Sequence, residues 1–327
     1  MKQGKLTNDQ LKEAVLGRLV STRGETVLGP GVGEDCAALD LQGDLVVLTT
    51  DPITAADAGA GGLGIHVSCN DLASCGAEPV GVLLTLLCPE NTGIARISQI
   101  EEDARRACEA LGIDILGGHT EVTAAVNKLI LSVTAIGRVH RERLITSSGM
   151  SAGDTLIMTK WAGLEGTLIL LSDHADFFRH KVPSVLTSPL KGLENAVSVV
   201  PEGLIAAENN ASAMHDVTEG GVLGAAYEMA LASGCGVEIN IEDIPVLPIT
   251  RALTAAAGLN VYRLISSGVM LIATSRPGAM LKALEKADIH AAAIGRAVES
   301  GFYTLRGGAR EKMDPPGPDE IYKMPSK

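Results

Sequence analysis

The chain has 327 residues, of which 46% are hydrophobic and 20% charged, and carries a formal net charge of −12 at pH 7. This balance describes a folded protein, and the length predicts two domains, each able to bury its own core. It excludes a duplex-binding surface, which needs clustered Lys and Arg; the short basic stretch "RVHRER" (Arg138 to Arg143) reads as solvated surface.

The predicted elements run as follows. A helix covers Asn8 to Leu19, opened by a capping Asn and carrying Leu11, Val15 and Leu19 at helical spacing. "DLVVLTTD" (Asp44 to Asp51) is a buried strand ending in polar residues. "GAGGLG" (Gly59 to Gly64) reads as a flexible loop, mobile enough to cover a ligand, before a small-residue helix, "GIHVSCNDLASCG", that stops at Gly76. "VGVLLTLLC" (Val80 to Cys88) is an apolar strand without clean alternation, so both of its faces need cover. Ile97 to Gly112 form an amphipathic helix. "DILGGHTEVT" is a strand running into a glycine turn, and Lys128 to Val139 form another strand.

A Ser/Gly-rich shift at "ITSSGMSAGD" (Ile145 to Asp154) marks the domain boundary, giving domains at 1–147 and 148–310. The second half alternates again. It has strands at "TLIMT" and "GVMLIAT", and helices over Glu165–Leu171, Glu194–Glu208, Gly221–Ser233 and Gly278–Ala287. The polar, proline-rich segment 311–327 is expected to be disordered. The six cysteines form no CxxC pair, the N-terminus lacks a signal-peptide core, and the longest apolar stretch is too short to cross a bilayer. The expectation is a reduced, cytoplasmic protein without nucleic-acid or membrane partners.

The spacing of "GAGGLG" matches a dinucleotide-binding loop. That fingerprint also requires a strand leading straight into the glycines and an acid about 20 residues further on. Eight residues intervene after the strand here, and Leu84 stands at the acid's position, so the oxidoreductase reading fails.

Three acids remain. Asp35 follows three glycines in "GPGVGEDCAALD", Asp51 ends a strand, and Asp71 lies on the next helix, where His66 and Asn70 share a face. Acids from a loop, a strand end and a helix can converge on Mg²⁺, which takes one or two carboxylates plus phosphate oxygens; each can equally cap a turn. In "LGGHTEVT", backbone N–H groups of a glycine turn and the Thr120 hydroxyl suit an anion. In "HDVTEGGV", His215, Asp216 and Thr218 precede a glycine pair opening a helix, which either attracts phosphate or is merely capped by Thr218 or Asp216.

In order, "GVGEDCAAL", "TTDPIT", "NDLASCGAEP", "GGHTEVT", "GDTLIMT", "HDVTEGGV", "SSGVMLIAT" and "IGRA" resemble the aminoimidazole ribonucleotide (AIR) synthase superfamily. It includes thiamine-monophosphate kinase, selenophosphate synthetase and the HypE-type hydrogenase maturation proteins, and the resemblance is strongest to the HypE-like group. It implies an α+β N-terminal domain, whose sheet pairs into a barrel across a homodimer, followed by an α/β sandwich. It also implies ATP and Mg²⁺ as cofactors, with the γ-phosphoryl group passed to an amide, a carbonyl or another nucleophile. By the same resemblance Asp35, Asp51 and Asp71 are metal ligands, and Asp71, His119 and Asp216 are catalytic. Asn70, Gly117, Gly118, Thr120, His215 and Thr218 then bind nucleotide or phosphate. The last cysteine is Cys235, so modification of a C-terminal cysteine, as in the HypE type, is not expected. The acceptor is a small molecule or a partner protein. The competing reading is a non-catalytic nucleotide-binding dimer serving as scaffold or sensor.

Overall fold

A computed structural model describes residues 8–9, 12, 26–28, 31–34, 36–40, 43–54, 59–183 and 192–324. Most of the expected first helix, and Asp35, lie outside the described residues. The chain divides into two compact units, one of Ser21–Gly29 and Asp35–Leu144, the other of Met1–Val20, Pro30–Glu34 and Ile145–Lys327.

The first unit contains β1 (Thr26–Leu28), β2 (Ala37–Asp40), β3 (Leu45–Ile53), α1 (Ala60–Ser74), β4 (Glu78–Cys88), α2 (Ile94–Leu111), β5 (Asp114–Val122) and β6 (Ile130–Val139). The six strands form one sheet in the order β1-β2-β3-β6-β4-β5. Only β4 and β5 pair in parallel, because α2 carries the chain back across the sheet between them. Burial alternates along β6, where Leu131, Val133 and Ala135 are buried, and β3 is in register beside it, Thr49 opposite Ala135, Asp51 opposite Val133 and Ile53 opposite Leu131. One face of the sheet is therefore covered by α1.

The glycine run is not a loop. It forms the first turn and a half of α1, with Gly59 at its N-cap. A Cβ on Gly61 would stand 2.1 Å from the Ile100 carbonyl oxygen, and one on Gly64 would stand 3.0 Å from Val133 Cγ2 and 3.1 Å from Ile53 Cγ1. These two glycines let α1 lie close against α2 on one side and the sheet on the other. The mobile cover expected over this stretch gives way to a packed helix end.

Two more expectations change. Burial along β4 does alternate: Val82, Leu84, Leu86 and Cys88 are buried, whereas Val80 and Leu83 are 44% and 40% exposed. The strand is apolar on both faces, and α1 covers only one. The glycine turn expected in "LGGHTEVT" is also absent. β5 runs extended through Gly117 and Gly118 as an exposed edge strand. A Cβ on Gly118 would meet Leu84 O at 1.9 Å, so close strand pairing accounts for that glycine.

The second unit contains β7 (Thr155–Thr159), α3 (Leu164–Asp173), α4 (Ala175–Phe178), α5 (Val200–Glu208), β8 (Ala213–Val217), α6 (Gly221–Ala232), β9 (Gly236–Asn240), α7 (Pro248–Ala257), β10 (Val269–Thr274), α8 (Pro277–Lys286), β11 (Ala291–Val298), β12 (Phe302–Arg306) and β13 (Ala309–Lys312). Its sheet runs β13-β12-β9-β11-β7-β10-β8. The central strands are buried on both faces. Val222, Ala226 and Met229 of α6 pack with Leu156, Met158 and Leu271, while α5 and α8 lie against β10, β7 and β11.

The segment expected to be disordered is ordered through residue 324. Met313 joins the core of the sheet, and Met324 joins a second core with Leu170, Phe178, Ile249 and Leu253. Arg263 holds the carbonyls of Asp314 and Pro315. The polar composition conceals Met313, Ile321 and Met324, which find apolar surface. Residues 325–327 lie outside the described residues.

Candidate functional site

In the first unit, contacts at two points fix how α1 lies on β3. Gly64 sits against Ile53, and the Thr49 hydroxyl donates to Asp71 Oδ2 at 2.6 Å. Residues 49, 51 and 53 share one face of a strand, and residues 64, 68 and 71 share one face of a helix. Asp51 is thereby set on the same face as Thr49, opposite Ser68. Asp71 and Asn70 are buried, and Asp51 is half-buried. The Ser68 hydroxyl is buried and has no hydrogen-bond partner among the described residues. His66, also on α1, is half-buried.

Sequence reasoning missed Thr49. The signal was present in "TTD": a hydroxyl two residues from an acid on a strand faces the same way as that acid.

Two carboxylates and an unpartnered buried hydroxyl on one face are hard oxygen donors of the kind Mg²⁺ accepts. Among the described residues no group of three or more His, Cys, Asp or Glu side chains is arranged to hold a metal. The arrangement suits an ion that brings its own phosphate ligands rather than one held by protein alone. The cysteines nearby are not nucleophiles. Burial pushes the Cys69 thiol up to about 12, with the neighbouring Cys108 and Asp71 adding to the effect, and burial pushes Cys108 up to about 11.

His119 does not join this group, whereas Thr120 stands beside Leu86, on the alternation that faces α1, and is exposed on the edge strand together with Gly117 and Gly118. β5 pairs with β4 so that His119 stands beside Thr85 and Glu121 beside Leu87, on the alternation that faces away from α1. His119 Nε2 lies 3.6 Å from Glu121 Oε2, and both side chains are more than half exposed.

In the second unit, β8 edges the sheet and places His215 opposite Leu271 and Asp216 opposite Met270. Adjacent strand residues point to opposite faces, so the two side chains diverge. His215 faces α6, its Nε2 3.6 Å from Glu228 Oε2, and Asp216 is buried on the other side. Thr218 follows, half-buried, its carbonyl accepting from Gly221 N–H. Gly220 and Gly221 have φ of 86° and 61°. A Cβ on Gly221 would stand 2.7 Å from the Tyr262 carbonyl oxygen, so the helix opening tolerates no side chain there. The Gly220 N–H is engaged by the chain's own Asp319 Oδ2 at 2.8 Å.

Residues 33–139 match the N-terminal domain of AIR synthase related proteins, and residues 151–308 match the C-terminal domain. The sequence is 30% identical to the carbamoyl dehydratase HypE of Escherichia coli over 89% of this chain and 89% of that protein. It is 27% identical to the selenide, water dikinase of Methanocaldococcus jannaschii, over 83% and 82% of the two chains. The crystal structure of E. coli HypE superposes with a TM-score of 0.75 at 25% identity, covering 90% of this chain and 95% of that one. A HypE hydrogenase maturation protein crystallised in complex with ATP shares the fold, with a TM-score of 0.74 at 19% identity over 97% and 99% of the chains.

Proposed function

The chain belongs to the AIR synthase related family, and on that premise we propose that it is an ATP-dependent enzyme that passes the γ-phosphoryl group to an oxygen or other nucleophile of a small molecule or partner protein. The acceptor atom bonds to phosphorus, the bond from phosphorus to the ADP oxygen breaks, and ADP leaves. Such a reaction asks the protein mainly for positioning and neutralisation of charge. The observation that carries the reading is the pairing of Thr49 with Asp71 beside Asp51: a buried carboxylate held in one orientation on the face that carries a second acid. A scaffold has no use for gathered negative charge of this kind.

In this reading Asp51 and Asp71, with Asp35, would hold the Mg²⁺ that accompanies the nucleotide. When bound, the ion neutralises phosphate charge. Thr49 fixes the Asp71 carboxylate, and Asn70 beside it serves the nucleotide. Gly117, Gly118, His119 and Thr120 act from the exposed edge strand, and His215, Asp216 and Thr218 act on the substrate side. The relatives' activities, a carbamoyl dehydratase and a selenide, water dikinase, support phosphoryl transfer as the shared step.

The working form in this reading is a homodimer. Val80 and Leu83 are exposed on the uncovered face of the first sheet, beside half-buried Val46, Leu48 and Leu87, and a second copy would cover them. The described cysteines are all free, and five are buried, which fits a reducing cytoplasm. The test is incubation of the purified protein with γ-labelled ATP and Mg²⁺, following ADP and label. Formation of ADP that depends on Mg²⁺ is expected; nucleotide binding without any turnover, with candidate acceptors present, would favour the scaffold.

A further inference from the structure

The C-terminal segment is held by an arrangement of acids with few cations. Glu165, near the start of α3, is buried, and its Oε2 has no hydrogen-bond partner among the described residues. Asp319, also buried, accepts from Gly220 N–H through Oδ2 and from Ile321 N–H through Oδ1, both at 2.8 Å. The Tyr322 hydroxyl donates to Glu219 Oε1 at 2.9 Å. Glu165, Glu219 and Asp319 thus come from three parts of the unit and act on one another. The nearby basic groups are turned elsewhere. Arg263 binds the carbonyls of Asp314 and Pro315, and Lys323 pairs with Glu320, which also accepts from Asn260 N–H.

We propose that residues 314–324 form a latch over the N-terminus of α6, and that a proton held between the carboxyl groups of Glu165 and Asp319 keeps it shut. Two buried carboxylates, with half-buried Glu219 nearby, cannot both stay ionised without a counter-charge. Arg263 and Lys323 are engaged elsewhere, which leaves a proton as the counter-charge in this proposal. Its removal sets Glu165 against Asp319, the residue that ties the segment to Gly220.

The titration has the sign this requires. Burial first, then the charges of Asp319 and Glu219, pushes Glu165 up to about 7, against a hydrogen bond from Ser267 that lowers it. Burial pushes Asp319 up to about 6. When the segment lifts, both groups meet water and return toward ordinary carboxylate values. A raised carboxyl contributes stability that is complete below its open-state value and is lost as pH rises through its closed-state value. The latch is therefore tightest in acid, loosens from about pH 4.5 to 7, and changes little above. Opening frees the Gly220 N–H at the helix end. The inference is independent of the proposed phosphoryl transfer.

Hydrogen exchange of the full chain across a pH series tests it, with rates divided by the intrinsic exchange rate at each pH. Protection in peptides holding Gly220 and Ile321 should fall by at least about twentyfold between pH 5.5 and 7.5, from the linkage of these two carboxyls. In Glu165→Gln, which keeps the shape and removes the charge, the fall should be no more than about fivefold. A wild-type protection that ignores pH, or an equal fall in the variant, would overturn the latch. Ser267→Ala provides a second measurement should the first variant not fold. Losing the hydroxyl that favours charged Glu165 should move the transition to higher pH, and an unmoved transition would likewise overturn the proposal.

Discussion

Thr49 donates its hydroxyl proton to Asp71 Oδ2 across 2.6 Å, from the middle of β3 to the last turn of α1. The bond orients a buried carboxylate. Thr49→Val keeps the shape and removes the donor. A hydrogen bond to a charged group is worth about 1.5–3 kcal/mol, so the Mg²⁺ concentration for half-maximal ATP turnover should rise about tenfold or more. Thr49→Ser should restore it. Equal Mg²⁺ dependence in all three proteins would show that Thr49 only packs.

Asp71→Asn keeps the volume and an oxygen for Thr49 but loses the charge. Turnover of ATP should fall by at least about a hundredfold, a loss of nearly 3 kcal/mol from the barrier, while the thermal midpoint stays within a few degrees. Were Asp71 only a turn or helix cap, Asn would replace it well and activity would survive.

Nucleotide binding should itself need the metal. Asp51 and Asp71 share one face, and bare triphosphate would meet their charge unscreened. Calorimetric titration should give much weaker ATP binding in chelator than in Mg²⁺. The same affinity in both would remove these acids from the nucleotide site.

Gly61 and Gly62 are neighbours in α1 with opposite expected responses to alanine. A Cβ on Gly61 would stand 2.1 Å from Ile100 O and 2.9 Å from Ala104 N, whereas on Gly62 its nearest neighbour is Asp103 O at 3.7 Å. Gly61→Ala forces α1 from α2 and should cost roughly 1–3 kcal/mol. Gly62→Ala should be neutral or stabilise by up to about 1 kcal/mol, through helix propensity. Denaturant unfolding of both variants measures the difference. Equal effects would mean that the helix contact is looser than described.

The dimer expectation rests on the uncovered sheet face. Light scattering at micromolar concentration should give twice the chain mass, and Leu83→Glu, which places a charge on that face, should give the monomer. A wild-type monomer, unchanged by nucleotide and Mg²⁺, would remove the dimer from the proposal.

Much of the second unit was legible as strings of elements. Its strands are continuous apolar runs between helices, and "TLIMT" and "GVMLIAT" read correctly because burial on both faces leaves no polar residue to confuse the pattern. The misreadings concern glycine. In "GAGGLG" and "LGGHTEVT" glycine suggested loops, but Gly61, Gly64 and Gly118 are there because another chain segment passes within reach of a Cβ. A sequence lists the small residue and not the neighbour that requires it. The C-terminal segment misled for a related reason: three separated apolar residues do not make a periodic pattern, yet each finds a core.

The order and spacing of the motifs, from "GVGEDCAAL" to "IGRA", are a property of the sequence, and they determined the family and the expectation of ATP chemistry. They name the acids without saying which way each points. Only the tertiary structure decided that Asp51 and Asp71 share the helix-covered face, that His119 stands on the other, and that His215 and Asp216 diverge across β8. It alone set Asp319 on the Gly220 N–H, 99 residues away along the chain. The physical reason is common to all of these. Side-chain direction along a strand or helix is local and periodic, but what lies opposite is fixed by long-range packing, which no window of sequence contains.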